Sequence, residues 1–216
     1  MPIDSEDVIY LFHKTSINLT EKIAKEGLKV STPQNPTEQI IEYYRQKYYP
    51  NKPNRMNSIF FITTLSTAFK TDMSFFGELS ILLGIKFTPE TIKFFKFYEY
   101  NHLILMEIWD NIRRRIHEWY PNIWESSVIL NANEIEILID DYYTRILLDE
   151  FWNGFKGEKR IGIEYDITGV IEWDYKYKDK RALYCHQPIT PDLIVYMIDI
   201  QQLIYKKKYP HKRIKY

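Results

Sequence analysis

Two apolar, β-prone segments, each followed by threonine and a helical pattern, constrain the fold of this chain more than any other feature. The first covers Val8–Phe12 and continues into the His-Lys-Thr sequence of residues 13–15, and the second covers Ser58–Thr63. Short runs of aliphatic and aromatic residues bounded by turn signals predict buried strands. The alternation of such strands with helices predicts an α/β domain. From the strand-threonine-helix pattern that the two segments share, we expect them to be adjacent strands that flank one cleft.

The segment after the first strand carries the signals of a short helix. Ser16 or Asn18 is placed to cap it, Glu21 falls in its first turn, and Ile23 lies on its apolar face. Gly27 follows the last turn, which is the usual position of a glycine at a helix C-terminus. We therefore expect the helix to end there.

The region between the two strands has the composition of an insertion. It spans residues 31–57 and contains four prolines, with a helical pattern at Thr37–Tyr48 between them. After the second strand, Thr64 or Ser66 caps a helix that runs to about Phe75. Leu79–Phe87 is then predicted as a central strand, and Pro89 ends it.

The second half of the chain changes from helical to β-rich. Residues 102–119 and 133–151 have helical patterns, the first clearly amphipathic. Residues 160–165, 169–175 and 181–185 read as strands, and a last strand runs through Met197. We expect one domain at 1–205, with a helical insertion at about 100–150 and a basic tail at 206–216.

Composition narrows the class of protein. The chain has 216 residues and one cysteine, Cys185, which excludes an internal disulfide and a cysteine-based zinc site. No metal site is predicted. The N-terminus is acidic without an apolar signal core, and no uncharged run is long enough to span a bilayer. We expect a cytoplasmic protein in a reducing compartment, without membrane contact. The abundance of Lys, Ile, Tyr and Asn is typical of AT-rich genomes, including those of viruses and mobile elements.

The order of these elements resembles the NAD-binding half of the ADP-ribosyltransferase superfamily. The resemblance is carried by the strand ending in His13-x-Thr15, the helix ending in Gly27-Leu28, and the aromatic strand ending in Thr63-Thr64. It covers residues 9–87, and residues 157–197 more loosely. It implies an α/β (α+β) fold, with a mixed split β-sheet, flanking helices and a helical insertion, and NAD as the cofactor.

Residues 13–15 take the nucleotide-binding positions of the first strand in the His-type members. The resemblance implies that His13 bonds a ribose hydroxyl and that Lys14 and Thr15 belong to the backbone edge that holds the nicotinamide carboxamide. The alternative is a histidine that caps a strand end.

An aromatic side chain near the second strand stacks on the nicotinamide in these proteins. Here the resemblance points to Phe60, Phe61 and Phe69 for this stacking, with Phe75 as a further aromatic, and to Thr63 as a cofactor-binding residue of the same strand. A flat apolar face suits a flat cationic ring. The alternative is that these phenylalanines belong to the core.

Arg55, three residues before the second strand, echoes the phosphate-binding arginines of the RNA 2′-phosphotransferases. A guanidinium suits phosphate because it donates two parallel hydrogen bonds. The resemblance thus makes Arg55 a candidate catalytic residue. The alternative is a solvated loop arginine.

A late glutamate is the expected third catalytic element, and it is missing from its usual place. The Ile-Thr-Pro sequence of residues 189–191 matches the late motif, which puts the acid near Ala182, but residues 181–191 contain no carboxylate. Glu172, on a neighbouring predicted strand, is the candidate that remains. A site without glutamate would draw on other polar residues near the late strands: Arg160, Arg181, His186 and Gln187. The other alternative is a fold that has lost its transferase chemistry.

The tail combines cations with interleaved tyrosines and lacks acidic residues. It favours contact with nucleic acid or an acidic protein partner, by phosphate pairing and base stacking, and the alternative is a solvated tail. The candidate contacts are Lys206, Lys207, Lys208, Lys212, Arg213 and Lys215.

The sequence therefore predicts an NAD-binding ADP-ribosyltransferase-like protein that transfers ADP-ribose to a protein or nucleic-acid acceptor. Two alternatives remain: an NAD-dependent RNA 2′-phosphotransferase, and a catalytically inactive binding module on the same fold.

Overall fold

The computed structural model describes residues 9–32, 35–62, 80–123, 128–155, 157–159 and 181–199. These residues form one seven-stranded sheet with flanking helices, so the α/β class is confirmed. The strands are β1 (Ile9–Ser16), β2 (Ile59–Ile62), β3 (Ser80–Phe87), β4 (Phe97–Asn101), β5 (Gly157–Lys159), β6 (Arg181–Cys185) and β7 (Ile194–Asp199). The helices are α1 (Thr20–Glu26), α2 (Pro36–Tyr48), α3 (Pro89–Ile92), α4 (His102–Trp119), α5 (Ala132–Asp140) and α6 (Tyr142–Asn153).

The strand order is β5-β4-β6-β2-β1-β3-β7, and every pairing among the described strands is antiparallel. The expectation of a mixed sheet is therefore corrected for this part of the chain. Parallel neighbours need crossover connections. Here the helical segments between β1 and β2 and between β4 and β5 lead the chain back, so that each of these strands runs antiparallel to the one before it.

The predicted adjacency of the first two strands is confirmed. β1 pairs with β2 through Phe12 and Ile62, and with β3 through eight successive pairs from Ile9–Phe87 to Ser16–Ser80. The prediction of a strand at residues 79–87 is confirmed from Ser80 to Phe87. β3 is not central, however, because it lies between β1 and the edge strand β7 of the described sheet.

Helices cover the two faces of the sheet differently. The helical face carries α2, α4, α5 and α6, which pack on Tyr100, Ala182 and Tyr184 from the strands. The opposite face carries α1 and the turn at 191–193, and its core contains Leu11 and Phe61 from the strands. Each face therefore has its own hydrophobic core, as expected for strands whose successive side chains alternate.

The short helix after β1 forms as predicted. Ser16 caps a single 3-10 turn at Ile17–Leu19 by accepting from the backbone N–H of Asn18 at 3.3 Å. α1 follows and ends at Gly27, whose φ is 76° and whose N–H donates to the Ile23 carbonyl at 2.8 Å. Only glycine adopts this backbone region readily.

The helical segments are confirmed, with one correction. α2 and α4 match the predicted helices at 37–48 and 102–119. The helical stretch predicted at 133–151 is two helices that separate at Asp141, where ψ is 125°. The Asp141 carboxylate accepts from the Thr144 N–H at 2.9 Å, so this residue caps α6 instead of continuing α5. Pro89 begins α3 as well as ending β3.

Several predicted elements lie outside the described residues. They are Val8, the helix from Thr64 to Phe75, the strands at 160–165 and 169–175, and the tail at 206–216. None of the described helices has the length and apolar character required to cross a membrane.

Candidate functional site

His13 lies at the junction between β1 and β2. Its register partner on β3 is Leu83, a core residue of the opposite face, so the imidazole belongs to that face. His13 Nδ1 lies 2.8 Å from the carbonyl oxygen of Phe60 on β2. A carbonyl only accepts hydrogen bonds, so the proton of the neutral ring resides on Nδ1 and Nε2 is left as an acceptor.

The environment of His13 favours this neutral form. Burial lowers the pKa of the imidazole, and the hydrogen bond donated to Phe60 opposes that shift in part. The ring itself is half-buried. His13 is therefore a neutral imidazole with a fixed proton at neutral pH.

The two residues after His13 point to different faces. Thr15 shares the opposite face with His13, whereas Lys14 pairs in register with Leu82 on the other side of the strand. Both side chains are buried. Contact with a nicotinamide carboxamide, the role that the resemblance implies for these two residues, would therefore involve their backbone groups and not their side chains.

The two phenylalanines of β2 occupy different environments. Phe61 is fully buried in the core of the opposite face, and its ring meets Phe97 edge to face at 5.7 Å between centroids. This placement agrees with the core interpretation. Phe60 is half-buried on the helical face, where its ring approaches Tyr100 and Tyr184.

Arg55 is buried, so its interpretation as a solvated loop residue is wrong. Its side chain is 1% exposed, and it forms a two-pronged ion pair with Glu38 of α2. Nη2 donates to Glu38 Oε1 at 2.9 Å, and Nε donates to Oε2 at 3.2 Å. Burial is the largest influence on the guanidinium and works to lower its pKa. The charge and hydrogen bonds of Glu38, together with Tyr100 and Tyr184, outweigh burial, so the pKa is raised and the group stays charged.

Four aromatic rings surround the Arg55 guanidinium. We call them the aromatic cage: Phe60 at 4.8 Å from Cζ to ring centroid, Tyr100 at 4.4 Å, Phe151 at 5.3 Å and Tyr184 at 5.8 Å. Aromatic faces attract a guanidinium electrostatically, more strongly where water is excluded. The cage therefore stabilises a charge that the interior would otherwise disfavour.

His102, the first residue of α4, borders this cage. Its ring lies 6.5 Å from Tyr100, and its buried Nδ1 has no hydrogen-bond partner among the residues that the structure describes. Burial, aided by the charge of Arg55, lowers the pKa of His102 to about 4. Sequence reasoning missed Glu38, Tyr100 and His102, because a glutamate in a first helical turn and two aromatic residues at a strand end carry no signal of a shared cage.

The Gly27-Leu28 sequence at the end of α1 is in direct contact with the late Ile-Thr-Pro sequence of residues 189–191. Leu28 and Ile189 exchange backbone hydrogen bonds at 2.8 and 2.9 Å. A Cβ on Gly27 would lie 2.0 Å from the Ile189 carbonyl oxygen. Glycine is therefore required at residue 27 both for its backbone angle and for this close approach.

The position expected for the late acid holds a buried alanine. Ala182 on β6 pairs with Ile62 and Tyr100 and is 2% exposed. The carboxylate nearest to Ala182 in the register of the described strands is that of Glu99, which pairs with Leu183 and is buried. Glu99 lies three strands from β1, or about 14 Å by strand spacing. In the described part of the chain, no carboxylate is hydrogen-bonded to His13.

The other polar candidates of the late strands have local partners. His186 Nδ1 lies 3.1 Å from both Ser58 Oγ and the Asn57 carbonyl oxygen, and Gln187 Oε1 accepts from the Lys96 N–H at 3.4 Å. The His186 contacts fasten the end of β6 to the start of β2, and the Gln187 contact joins it to the start of β4. Arg181 is a residue of β6.

The remaining candidates lie outside the described residues. They are Thr63, Phe69, Arg160, Glu172, Lys206, Lys207, Lys208, Lys212, Arg213 and Lys215. Within the described ranges, no group of histidine, cysteine, aspartate and glutamate side chains is arranged to hold a metal ion.

No protein-family model matches this chain, and no curated protein matches it.

Proposed function

We propose that this chain binds NAD along β1 and β2 and transfers ADP-ribose to a protein or nucleic-acid acceptor. One observation carries the proposal: the His13 imidazole is neutral and directed by its bond to Phe60 at the junction of the two strands. A neutral ring with a free Nε2 accepts a hydrogen bond from a ribose hydroxyl. That is the role which the ADP-ribosyltransferase resemblance gives to His13.

The strand pairing around His13 supports the same proposal. Among the described residues, β1 and β2 share one register pair, whereas β1 and β3 share eight. A sheet that splits between β1 and β2 would leave backbone N–H and C=O groups for a nicotinamide carboxamide. The direct pairing of Leu28 with Ile189 adds support, because it joins the two motifs that suggested the superfamily.

In the proposed reaction, the acceptor attacks the ribose carbon that carries nicotinamide, and nicotinamide leaves. Catalysis rests on holding the ribose and on stabilising positive charge as the glycosidic bond weakens. His13 holds the ribose, and Glu172 is the candidate carboxylate for the charge. The basic tail, Lys206–Lys215, recruits the nucleic-acid or acidic partner.

A non-catalytic binding module is the second candidate, and the buried Ala182 at the late acid position favours it. The RNA 2′-phosphotransferase alternative receives less support. Arg55, the residue that suggested phosphate binding, is already paired with Glu38 and enclosed by the aromatic cage.

Thermal unfolding with and without NAD tests the proposal. NAD at a hundredfold excess over its dissociation constant should stabilise the fold by about 2.7 kcal/mol. His13→Ala should remove most of this shift, whereas His117→Ala, at an exposed position on α4, should retain it. Released nicotinamide, measured by chromatography, separates the two candidates: binding with release supports the transferase, and binding without release supports the module. An unchanged melting temperature at millimolar NAD contradicts the transferase and counts heavily for the non-catalytic module.

A further inference from the structure

Phe60 connects the two faces of the sheet. Its carbonyl oxygen accepts the His13 Nδ1–H at 2.8 Å, and its ring lies 4.8 Å from the Arg55 guanidinium on the helical face. The backbone of Phe60 is the partner of His13, and the side chain of Phe60 is the partner of Arg55. One residue thus contacts both polar side chains, one through its backbone and the other through its ring.

The side chain of Phe60 is held by rigid partners. Tyr100 meets it edge to face at 6.4 Å, and Tyr184, its register partner on β6, lies at 5.8 Å. Arg55 is itself fixed, because both prongs of its fork are bound to Glu38 on α2. Helix α2, Arg55, Phe60 and His13 thus form a continuous series of contacts from the helical layer to the opposite face.

We infer that Arg55 is a positioning residue for His13, acting through Phe60. The guanidinium, 4.8 Å from the ring centroid, holds the Phe60 ring in place, and the Phe60 carbonyl then fixes the proton of His13 on Nδ1 and leaves Nε2 as the acceptor. This assigns to the ring of Phe60 an anchoring role in place of nicotinamide stacking. Because the role presupposes the proposed binding of NAD at His13, the test needs a measurement that does not depend on NAD.

Arg55→Lys is the informative substitution, because lysine keeps the charge but lacks the planar fork that binds Glu38 twice and covers a ring. Histidine-selective ¹⁵N spectra report which ring nitrogen carries the proton. The chain has five histidines, and His13→Asn assigns the signal of interest. We expect Arg55→Lys to lower the fraction of His13 protonated on Nδ1. NAD affinity should fall about fivefold, the change expected for one neutral hydrogen bond.

Arg45→Lys is a matched control. Arg45 is also largely buried and also paired with a glutamate of α2, Glu42, at 2.6 Å. Its other bonds go to the carbonyls of Pro50 and Lys52, away from Phe60. The control should leave the His13 spectrum unchanged. Phe60→Leu is the second variant, since it keeps the carbonyl, removes the ring and leaves the Arg55–Glu38 pair in place.

The outcomes are separable. A shift of the His13 proton in Arg55→Lys or in Phe60→Leu, with no shift in Arg45→Lys, supports the inference even if the wild type fails to bind NAD, which would contradict the proposed function alone. A His13 spectrum like that of the wild type in folded Arg55→Lys and Phe60→Leu overturns it, whatever the melting temperatures do. An equal shift in Arg45→Lys also overturns it, because a general loosening would then explain the effect.

Discussion

The two faces of the sheet treat polar side chains in opposite ways. On the helical face, Arg55 and Glu38 are almost fully buried, bonded twice to each other and enclosed by aromatic rings. On the opposite face, His13 is half-buried, and within the described part of the chain it has one hydrogen bond, which fixes its proton on Nδ1 and leaves Nε2 as an acceptor. An ion pair enclosed by aromatic rings serves the fold, even though Arg55 Nη1 is buried without a hydrogen-bond partner among the described residues. A half-buried imidazole whose proton is fixed is placed to bind a ligand.

The difference follows from what covers each face. α2, α4 and α6 pack tightly over Phe60, Tyr100 and Tyr184, so a charge there needs a counter-charge, which Glu38 supplies to Arg55. α1 covers the opposite face together with the segment around Ile189. Substitutions on the two faces should therefore affect different properties, stability on the helical face and ligand binding at His13.

Glu38→Ala should have the largest effect on stability. It leaves the Arg55 guanidinium buried without its counter-charge, which typically costs about 3 to 5 kcal/mol. Equilibrium unfolding in urea measures the loss. The comparison of the two faces predicts that the helical face tolerates this change poorly because its polar groups depend on one another.

Two further variants sharpen this prediction. Lys47→Ala breaks the Lys47–Glu136 pair, whose side chains are 41% and 31% exposed, and should cost less than about 1 kcal/mol. Replacing Arg55 and Glu38 together by methionine removes both charges while keeping volume, and should cost far less than Glu38→Ala. Equal losses of unfolding free energy for Glu38→Ala and for the double variant would show that lost packing, and not the unpaired charge, causes the destabilisation.

Gly27→Ala should have the next largest effect, on the opposite face. A side chain at φ 76° and ψ −172° is strained by about 1 to 3 kcal/mol. The new Cβ would also lie 2.0 Å from the Ile189 carbonyl oxygen, so the Leu28–Ile189 pairing must shift. Unfolding in urea again measures the loss.

Gly154→Ala is the matched control for that substitution. Gly154 ends α6 at an ordinary φ of −76°, and an added Cβ would meet the Glu150 carbonyl oxygen at 3.0 Å. We expect a loss of about 1 kcal/mol or less. If the two alanine variants lose equal stability, the contact between the Gly27 and Ile189 segments is not a rigid one.

Much of the fold was predictable from sequence because local signals were strong. Strand adjacency followed from two apolar segments, and the end of α1 followed from Gly27. The break between α5 and α6 was missed because Asp141 lies inside an uninterrupted helical pattern, and its capping role depends on the Thr144 N–H.

The candidate site was predictable only in part. His13 was singled out by its strand position, but its partner is a backbone carbonyl, which no residue type reveals. Arg55 was singled out for phosphate, yet its partner Glu38 lies 17 residues earlier on a helix. Pairings of this kind arise from tertiary packing, so residue identity and spacing alone did not indicate them.

The smallest expected effect concerns His102, which has an unpartnered ring nitrogen at the edge of the aromatic cage. Burial and the charge of Arg55 lower its pKa in the folded chain from the ordinary 6.5 to about 4. The unfolded chain therefore takes up a proton first as the pH falls. The stability that depends on neutral His102 is fully present above about pH 6.5 and is lost progressively as the pH falls toward 4.

His102→Phe should remove this pH dependence, because phenylalanine fills the same space without a titrating nitrogen. The wild type should lose about 1 kcal/mol more than the variant between pH 6.5 and 5.5, measured by urea unfolding at each pH. The variant retains some slope, since the lowered pKa of His13 acts in the same direction. His117→Phe, exposed on the same helix, should keep the wild-type slope. Parallel curves for the wild type and His102→Phe would mean that water reaches His102, and the helical face would then be less sealed than its ion pair indicates.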